Sequence, residues 1–254
     1  MSKLYGNVLL DQLPSHVTEE LAPNLEPVRL EALQLLATPS ETPPHVYFPQ
    51  SAIISVLAPL ATEDHQLGLI GREGVINHVS PSTHDRMPWK KQVQVEGSAW
   101  RIRAEKLALS AERHNRLQLM LLRAGQVEQI QLVSTGWPAP RRGVEARLAR
   151  WLLMYFDRLD CEELRVTHDA LAVVLGVRRP TITTALHIME GEGVVACKRS
   201  SIVLRNRQDL IKISAPLYGL AEAEYQRLLG VDFRRVEARE TISPAPEIVV
   251  AGAK

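Results

Sequence analysis

LGVRRPTITTALHIME, residues 175–190, carries two arginines and a proline near its start and then sets three threonines within four positions. Threonine is a mediocre helix former because its branched Cβ crowds the preceding turn, so an ordinary surface helix rarely collects three. A helix tolerates proline only in its first turn, so Pro180 fixes where this one begins. From there Ile182, Ala185, Leu186 and Met189 fall at i, i+3, i+4 and i+7 and share one buried face. Leu171, Val174 and Leu175 do the same in the segment before, and Gly176 permits a sharp turn between the two. The pattern predicts a helix-turn-helix. With the apolar face used up, Arg179, Thr181, Thr183, Thr184 and His187 must lie sideways or outward.

Working outward, Thr167 stands before His168-Asp169, where it can cap the first helix and offer that helix's amide end to a phosphate. After the second helix, EGVVACKRSSIVLRN (192–206) alternates as a strand pair with Lys198 and Arg199 at its tip. The second helix then reads as a recognition helix. Arg178 and Arg179 at its start suit a phosphate or a guanine edge. The short threonines let the helix settle deep in the major groove, with hydroxyls for backbone oxygens and methyls for thymine. The basic hairpin becomes a wing reaching a neighbouring phosphate. The candidate contacts to double-stranded DNA are Thr167, His168, Arg178, Arg179, Thr181, Thr183, Thr184, His187, Lys198 and Arg199. A winged-helix scaffold that makes only protein contacts is the alternative.

The charge supports the same region. Residues 1–136 hold 12 Lys/Arg against 14 Asp/Glu, residues 137–212 hold 13 against 9, and residues 213–254 hold 5 against 6. The net charge of +1 therefore conceals a mild positive excess around the quoted stretch. Two cysteines, Cys161 and Cys197, are too few for a disulfide scaffold, a four-cysteine zinc site or an iron–sulfur cluster. Neither metal nor cofactor is expected. No positively charged start leads into an apolar run, and no stretch of about 18 apolar residues occurs, so a soluble cytoplasmic protein is expected. A nucleophile elbow, a P-loop, a zinc-protease motif and a dinucleotide fingerprint are all absent from the sequence, which argues against an enzyme.

The N-terminal third reads as short helices over residues 8–36 followed by strands broken by turns. VYFPQSAIISVLAPL (46–60) is an aromatic run and then an apolar one, and LGLIGREGVIN (67–77) is a further strand. KKQVQVEGSAWRIRAEKL (90–107) reads as two strands across a Glu96-Gly97 turn. Short strands with frequent turns predict a small antiparallel sandwich or barrel. From Glu105 to about Thr135 there is no proline and only Gly125, which predicts one long helix. Leu117, Met120, Ala124 and Val127 step along it by 3 and 4, with Leu119, Leu122, Ile130 and Val133 on a second face. Two apolar faces need two partners. The sandwich and a twin helix are two such partners, with the first stripe as the expected seam between twin helices; a helix buried inside one domain is the alternative.

Taken together, THDALAVVLGVRRPTITTALHIMEGEGVV resembles the winged helix-turn-helix of the CRP/FNR family of bacterial transcription regulators in spacing, turn glycine and closing segment. VYFPQSAIIS and LIGREGVIN resemble that family's sensor β-roll, and the 105–135 helix its dimerisation helix. The resemblance spans roughly residues 8–230. It implies an α+β chain: a β-roll or jelly-roll sensor domain (1–104), a dimerisation helix (105–136), a winged helix-turn-helix (137–212), a C-terminal helix (213–230) and a flexible tail (231–254). It further implies a homodimer on a palindromic operator, RNA polymerase as a protein partner and an effector pocket in the N-terminal domain.

Departures from the family pattern are specific. GREG (71–74) puts Arg72 where the cyclic-nucleotide cassette has the glutamate that holds the ribose, and DRMPW (85–89) keeps Arg86 but replaces the hydroxyl residue by Met87. A cation for a ribose acceptor and a thioether for a phosphate donor should cripple cyclic-nucleotide binding. The pocket candidates are Arg72, Glu73, Arg86 and Met87; an acidic effector or simple solvation of the arginines are both open. At the recognition helix Arg179 matches the family's guanine-reading arginine, while Pro180 and Thr184 replace a glutamate and an arginine, so the operator should differ. Cys197 lies in the wing, where it is either a small filler or a group whose oxidation would set negative charge against phosphate.

Overall fold

The computed structural model describes residues 5–39, 41–60, 63–78, 87–136, 143–159, 161–234 and 244–252. Two compact units form: Met1–Leu132 with Glu224–Val231, and Val133–Ala223 with Asp232–Lys254.

In the N-terminal unit, among the described residues, a helix α1 (Ser15–Leu21) precedes seven strands: β1 (Glu26–Leu30), β2 (Leu35–Ala37), β3 (His45–Pro49), β4 (Ile53–Leu60), β5 (Glu63–Ile70), β6 (Lys90–Val95) and β7 (Gly97–Arg103). They make two antiparallel sheets, β1-β7-β3 and β2-β6-β4-β5. One core joins them, with Leu30 and Ala99 from the first sheet meeting Leu36, Ile54, Val56, Ile70 and Val93 from the second. Each such fully buried aliphatic contributes roughly 1.5–3 kcal/mol. The expected sandwich is there, but three local expectations are corrected. Helix ends by Asn24 rather than running towards 36, because Glu26–Leu30 pairs with β7 as an edge strand, where Pro27 costs no ladder bond. Residues 67–77 are not one strand: β5 stops at Ile70, and Gly74 N–H closes a turn onto the Gly71 carbonyl at 3.0 Å. The segment returns to the sheet only at Ile76, bridged to Tyr47. Finally, β6 and β7 flank Glu96 but do not pair; they lie in different sheets, and the chain crosses between them. Gly97 makes that crossing possible, since a Cβ there would sit 2.5 Å from the Ala52 amide nitrogen.

The long helix also differs. It is two helices, α2 (Ala104–Arg113) and α3 (Asn115–Gly136), parted at an extended His114. No breaker residue marks the spot. Glu20 of α1 accepts from Ser110 and lies 2.7 Å from His114 Nε2, so tertiary pairing sets the break. The seam assignment is overturned as well. Leu117, Met120, Ala124 and Val127 are buried within the chain itself, Leu117 completely, whereas Leu119 and Leu122 are exposed, Leu122 at 66%. Polar anchors decided which apolar face turned inward. Lys91 of β6 pairs with Glu128 of α3 with only 4% and 13% of their side chains exposed, and the Gln131 side chain accepts from Leu69 N–H at 2.7 Å. His78 fits against Gly125, where a Cβ would lie 2.8 Å from its Nε2. Gly125, Glu128 and Gln131 all lie on the buried side.

The C-terminal unit holds α4 (Val144–Arg158), β8 (Glu163–Arg165), α5 (His168–Leu175), α6 (Arg179–Gly191), β9 (Val195–Lys198), β10 (Ser201–Leu204) and α7 (Arg207–Ser214), with α8 (Leu220–Leu229) following. Its sheet has the order β8-β10-β9. Asp157 on α4 is fully buried and accepts from Arg207 and, at 2.7 Å, from the Tyr218 hydroxyl, which ties α4 to α7 and the loop after it. Burial pushes its carboxyl above the usual range, against the pull of Arg207. The expected flexible tail is corrected in part. Phe233 is buried under Arg158, and the segment at Pro246–Ile248 docks on β8. Arg165 N–H donates to the Pro246 carbonyl at 2.9 Å and Ile248 N–H to the Arg165 carbonyl at 2.8 Å. Ile248, an apolar residue on an open sheet edge, supplies the burial that a sequence scan for periodicity misses.

Candidate nucleic-acid interface

The turn between α5 and α6 is built as the spacing required. Thr167 caps α5 by accepting from Ala170 N–H at 3.1 Å, and Gly176 closes it in the left-handed region at φ +61°. Ile182, Ala185, Leu186 and Met189 are buried. The opposite side of α6 is exposed: Pro180, Thr181, Thr184, His187, Ile188 and Gly191 face outward, with Arg178 and Arg179 at the start. Pro180 occupies the first turn, where its missing N–H leaves no unmet bond.

The predicted residues divide into tethered and free. Arg179 Nε lies 3.5 Å from Asp169 of α5, an exposed pairing that aims the guanidinium more than it stabilises the fold. Thr183 is half-buried; its hydroxyl donates to the Arg179 carbonyl at 3.2 Å and meets His168 Nδ1 at 2.9 Å. Burial first, then Arg179 and His187, hold the His168 pKa below the ordinary histidine value, so the ring is neutral and works as a strut between α5 and α6. Thr184 donates to the Pro180 carbonyl at 3.1 Å. His187 lies 3.9 Å from Glu190. The Arg178 carbonyl accepts from Thr181 N–H at 3.0 Å, and its guanidinium meets no partner among the described residues.

At the wing, Lys198 Nζ sits 3.0 Å from Glu163 of β8, whose other oxygen accepts from Ser201 at 2.6 Å. The Ser201 bond, then Lys198, hold the Glu163 carboxyl below the usual range, so it stays charged and offsets the lysine. Arg199 is exposed at the tip beside Ser200, which turns the hairpin at φ +57°. Cys197 N–H donates to Glu190 at 2.7 Å, tying the wing to the end of α6. Burial and the Glu190 charge push the Cys197 thiol up, which disfavours the reactive thiolate. Three groups escaped the sequence reading: Asp169, Glu163 and Glu190. They act on cations or amides several positions away in sequence, and no periodicity carries such a pairing. Ile188, 45% exposed, was missed because an apolar side chain looks like core.

Three of the four sensor candidates lie within the described residues. Glu73 is buried, and its carboxylate accepts from Gly71 N–H at 3.2 Å, so it closes its own turn. Its carbonyl accepts from the Tyr225 hydroxyl at 2.7 Å. Arg72 and Met87 are half-buried, and Arg86 lies outside the described residues. Among the described residues no group of three or more His, Cys, Asp and Glu could hold a metal ion, and no helix is long and apolar enough to cross a membrane.

Residues 146–213 match the model of the Crp-like helix-turn-helix domain. No curated protein matches the sequence. Among solved structures, a transcriptional regulator of the CRP/FNR family from Eubacterium rectale is similar at a TM-score of 0.62 and 16% identity, over 82% of this chain and 98% of its own. FixK2 from Bradyrhizobium japonicum is similar at 0.64 and 17%, over 75% and 98%. The c-di-GMP responsive regulator CLP from Xanthomonas campestris is similar at 0.61 and 15%, over 76% and 99%. At such identities the likeness is one of fold. Residues 146–213 thus carry a Crp-like helix-turn-helix domain, and the chain shares the fold of these solved regulators of the CRP/FNR kind.

Proposed function

We propose that the protein acts in the cytoplasm as a homodimer that binds a two-fold operator and regulates transcription there, with RNA polymerase as its protein partner. It works by binding and not by catalysis. The observation that carries this is α6: a helix whose buried face is complete, whose outer face is exposed, and which begins with two exposed arginines, in a unit whose wing tip also exposes Lys198 and Arg199. Arg179 reads a guanine edge, while Arg178, Lys198, Arg199 and the amide end of α5 hold phosphates.

The second copy meets α3 along the face opposite the one first expected. Leu119, Leu122, Gln126, Gln129 and Val133 are all exposed and step by 3, 4, 3 and 4, the spacing of a two-helix seam. The apolar ends of that line leave surface that water solvates poorly, and a twin helix covers it. The N-terminal domain does not take cyclic AMP or cyclic GMP, a reading supported by Arg72 and Met87 at the cassette positions and by the commitment of Glu73 to Gly71. Calorimetry with either nucleotide checks it, micromolar affinity being the contrary result.

Genome-wide binding-site mapping followed by binding measurements on the recovered operator tests the whole reading. Arg179→Ala is expected to cost about 1–3 kcal/mol of operator affinity and to relax preference at one base pair in each half-site. Unchanged affinity and selectivity would place base readout elsewhere.

A further inference from the structure

We infer that the middle of α6 reads thymine through methyl contact rather than hydrogen bonds, with Thr184 and Ile188 as the specificity-determining residues. This rests on the DNA-binding reading above and deepens it.

Thr181, Thr184 and Ile188 step by 3 and 4 along α6, and all are exposed. They form one ridge on its outer side. The ridge carries no charge. The proton of its central hydroxyl is already given away: Thr184 Oγ1 donates to the Pro180 carbonyl at 3.1 Å, one turn back along its own helix. The remaining branch of that side chain is a methyl. Thr183, the other candidate for a polar contact, has its hydroxyl held between the Arg179 carbonyl and His168. Ile188 offers only hydrocarbon, and at 45% exposure it is among the few large apolar side chains left open to solvent. The polar flank of the helix is thus tied to α5, by Arg179 to Asp169 and Thr183 to His168, while the ridge is uncharged and its middle and end offer the Thr184 methyl and the Ile188 side chain.

The major groove shows one hydrocarbon group, the thymine C5-methyl. Setting the Thr184 methyl or the Ile188 side chain against it removes apolar area from water on both sides, a gain that cytosine, which lacks the methyl, does not offer. Thr184 follows Arg179 by five residues, about 7.5 Å along the helix, or roughly two base-pair steps. A half-site with a guanine and a thymine about two base pairs further on is therefore expected.

The test starts from a random duplex library selected on the full-length protein. Each thymine of the selected half-site is then replaced by uracil, which removes the methyl and nothing else. At the Thr184 position the replacement should weaken binding by about fourfold per half-site, the size expected for burying one methyl group. Thr184→Ser keeps the hydroxyl and loses the methyl, so it should bind thymine and uracil operators alike. Thr184→Val keeps methyl and loses the hydroxyl, so it should still discriminate; Ile188→Ala should erase the preference at a neighbouring position. A selected operator that is indifferent to uracil throughout, or a Thr184→Ser variant that still discriminates while Thr184→Val does not, overturns the inference and leaves DNA binding intact. Failure to select any sequence overturns DNA binding itself, and the inference with it.

Discussion

The polar residues that orient α3 in the N-terminal unit and those that line the outer side of α6 in the C-terminal unit are used in opposite ways. In the N-terminal unit they are buried and matched: Lys91 with Glu128, Gln131 with the Leu69 amide, Glu73 with the Gly71 amide. In the C-terminal unit Arg178 and Arg199 stay exposed, and Arg179 meets only the carboxylate of Asp169 at the surface. A buried ion pair is dear to desolvate and useful chiefly because it admits a single arrangement, here the face that α3 turns inward. An exposed cation fixes nothing in the fold and remains available to a polyanion. Polarity alone is therefore no guide to function; what separates the two cases is whether the group is already matched.

The contrast breaks most visibly at Lys91. Lys91→Ala leaves Glu128 at the buried contact with no cation, and loss of one partner of such a pair costs about 3–5 kcal/mol. Chemical denaturation should show that loss in the unfolding of the N-terminal unit. A change under 1 kcal/mol would mean that Glu128 finds water and that the pair does not orient α3.

Next in size is the seam. Leu122→Glu sets two like charges face to face along the exposed line of α3 and should weaken association by about a hundredfold, near 3 kcal/mol, while the monomer keeps its helix content. Ala124→Glu attacks the buried face instead and should lower the melting temperature through the fold of each chain. Sedimentation and circular dichroism on both variants separate the faces. A dimer that survives Leu122→Glu but not Ala124→Glu would restore the first assignment.

Smaller effects distinguish the wing cations. Arg199 is free among the described residues, whereas Lys198 already faces Glu163. Arg199→Ala should therefore flatten the salt dependence of DNA binding by about one ion, and Lys198→Ala by less. Equal slopes would show that Lys198 abandons Glu163 on the operator.

These differences explain what the sequence disclosed. The helix-turn-helix was legible almost residue by residue, because proline, glycine, a capping threonine and a 3.6-residue period act locally. The sandwich was legible as a class, yet the crossing at Gly97 was not, since nothing in KKQVQVEGSAWRIR tells a hairpin from a strand that changes sheets. Choosing between the two faces of α3 needed partners 37 and 62 positions away, Lys91 for Glu128 and Leu69 for Gln131. Apolar periodicity gave two equally good stripes and no means of ranking them. Asp169, ten residues before Arg179, was hidden for the same reason.

The smallest expected effect is one of pH, and it tests whether His168 is a strut or a cation awaiting phosphate. Its folded pKa lies below the ordinary histidine value of about 6.5, through burial and then the nearby Arg179 and His187. The unfolded chain then binds the proton more readily than the folded one. Stability contributed by this group is complete above about pH 6.5 and declines as pH falls towards the lower folded value. His45 and His78 are depressed likewise by burial, so the whole protein should lose stability over the same window. The part due to His168 is the difference between the native chain and His168→Gln, whose amide can still bond to Thr183 and cannot take up a proton. Melting curves of the C-terminal transition from pH 7.5 to 5.5 should fall less steeply for the variant. A fall of the same slope in both would mean that His168 leaves Thr183 without cost when protonated. It would then belong with Arg178 and Arg199 among the groups open to DNA, and not with the matched polar groups that hold the fold.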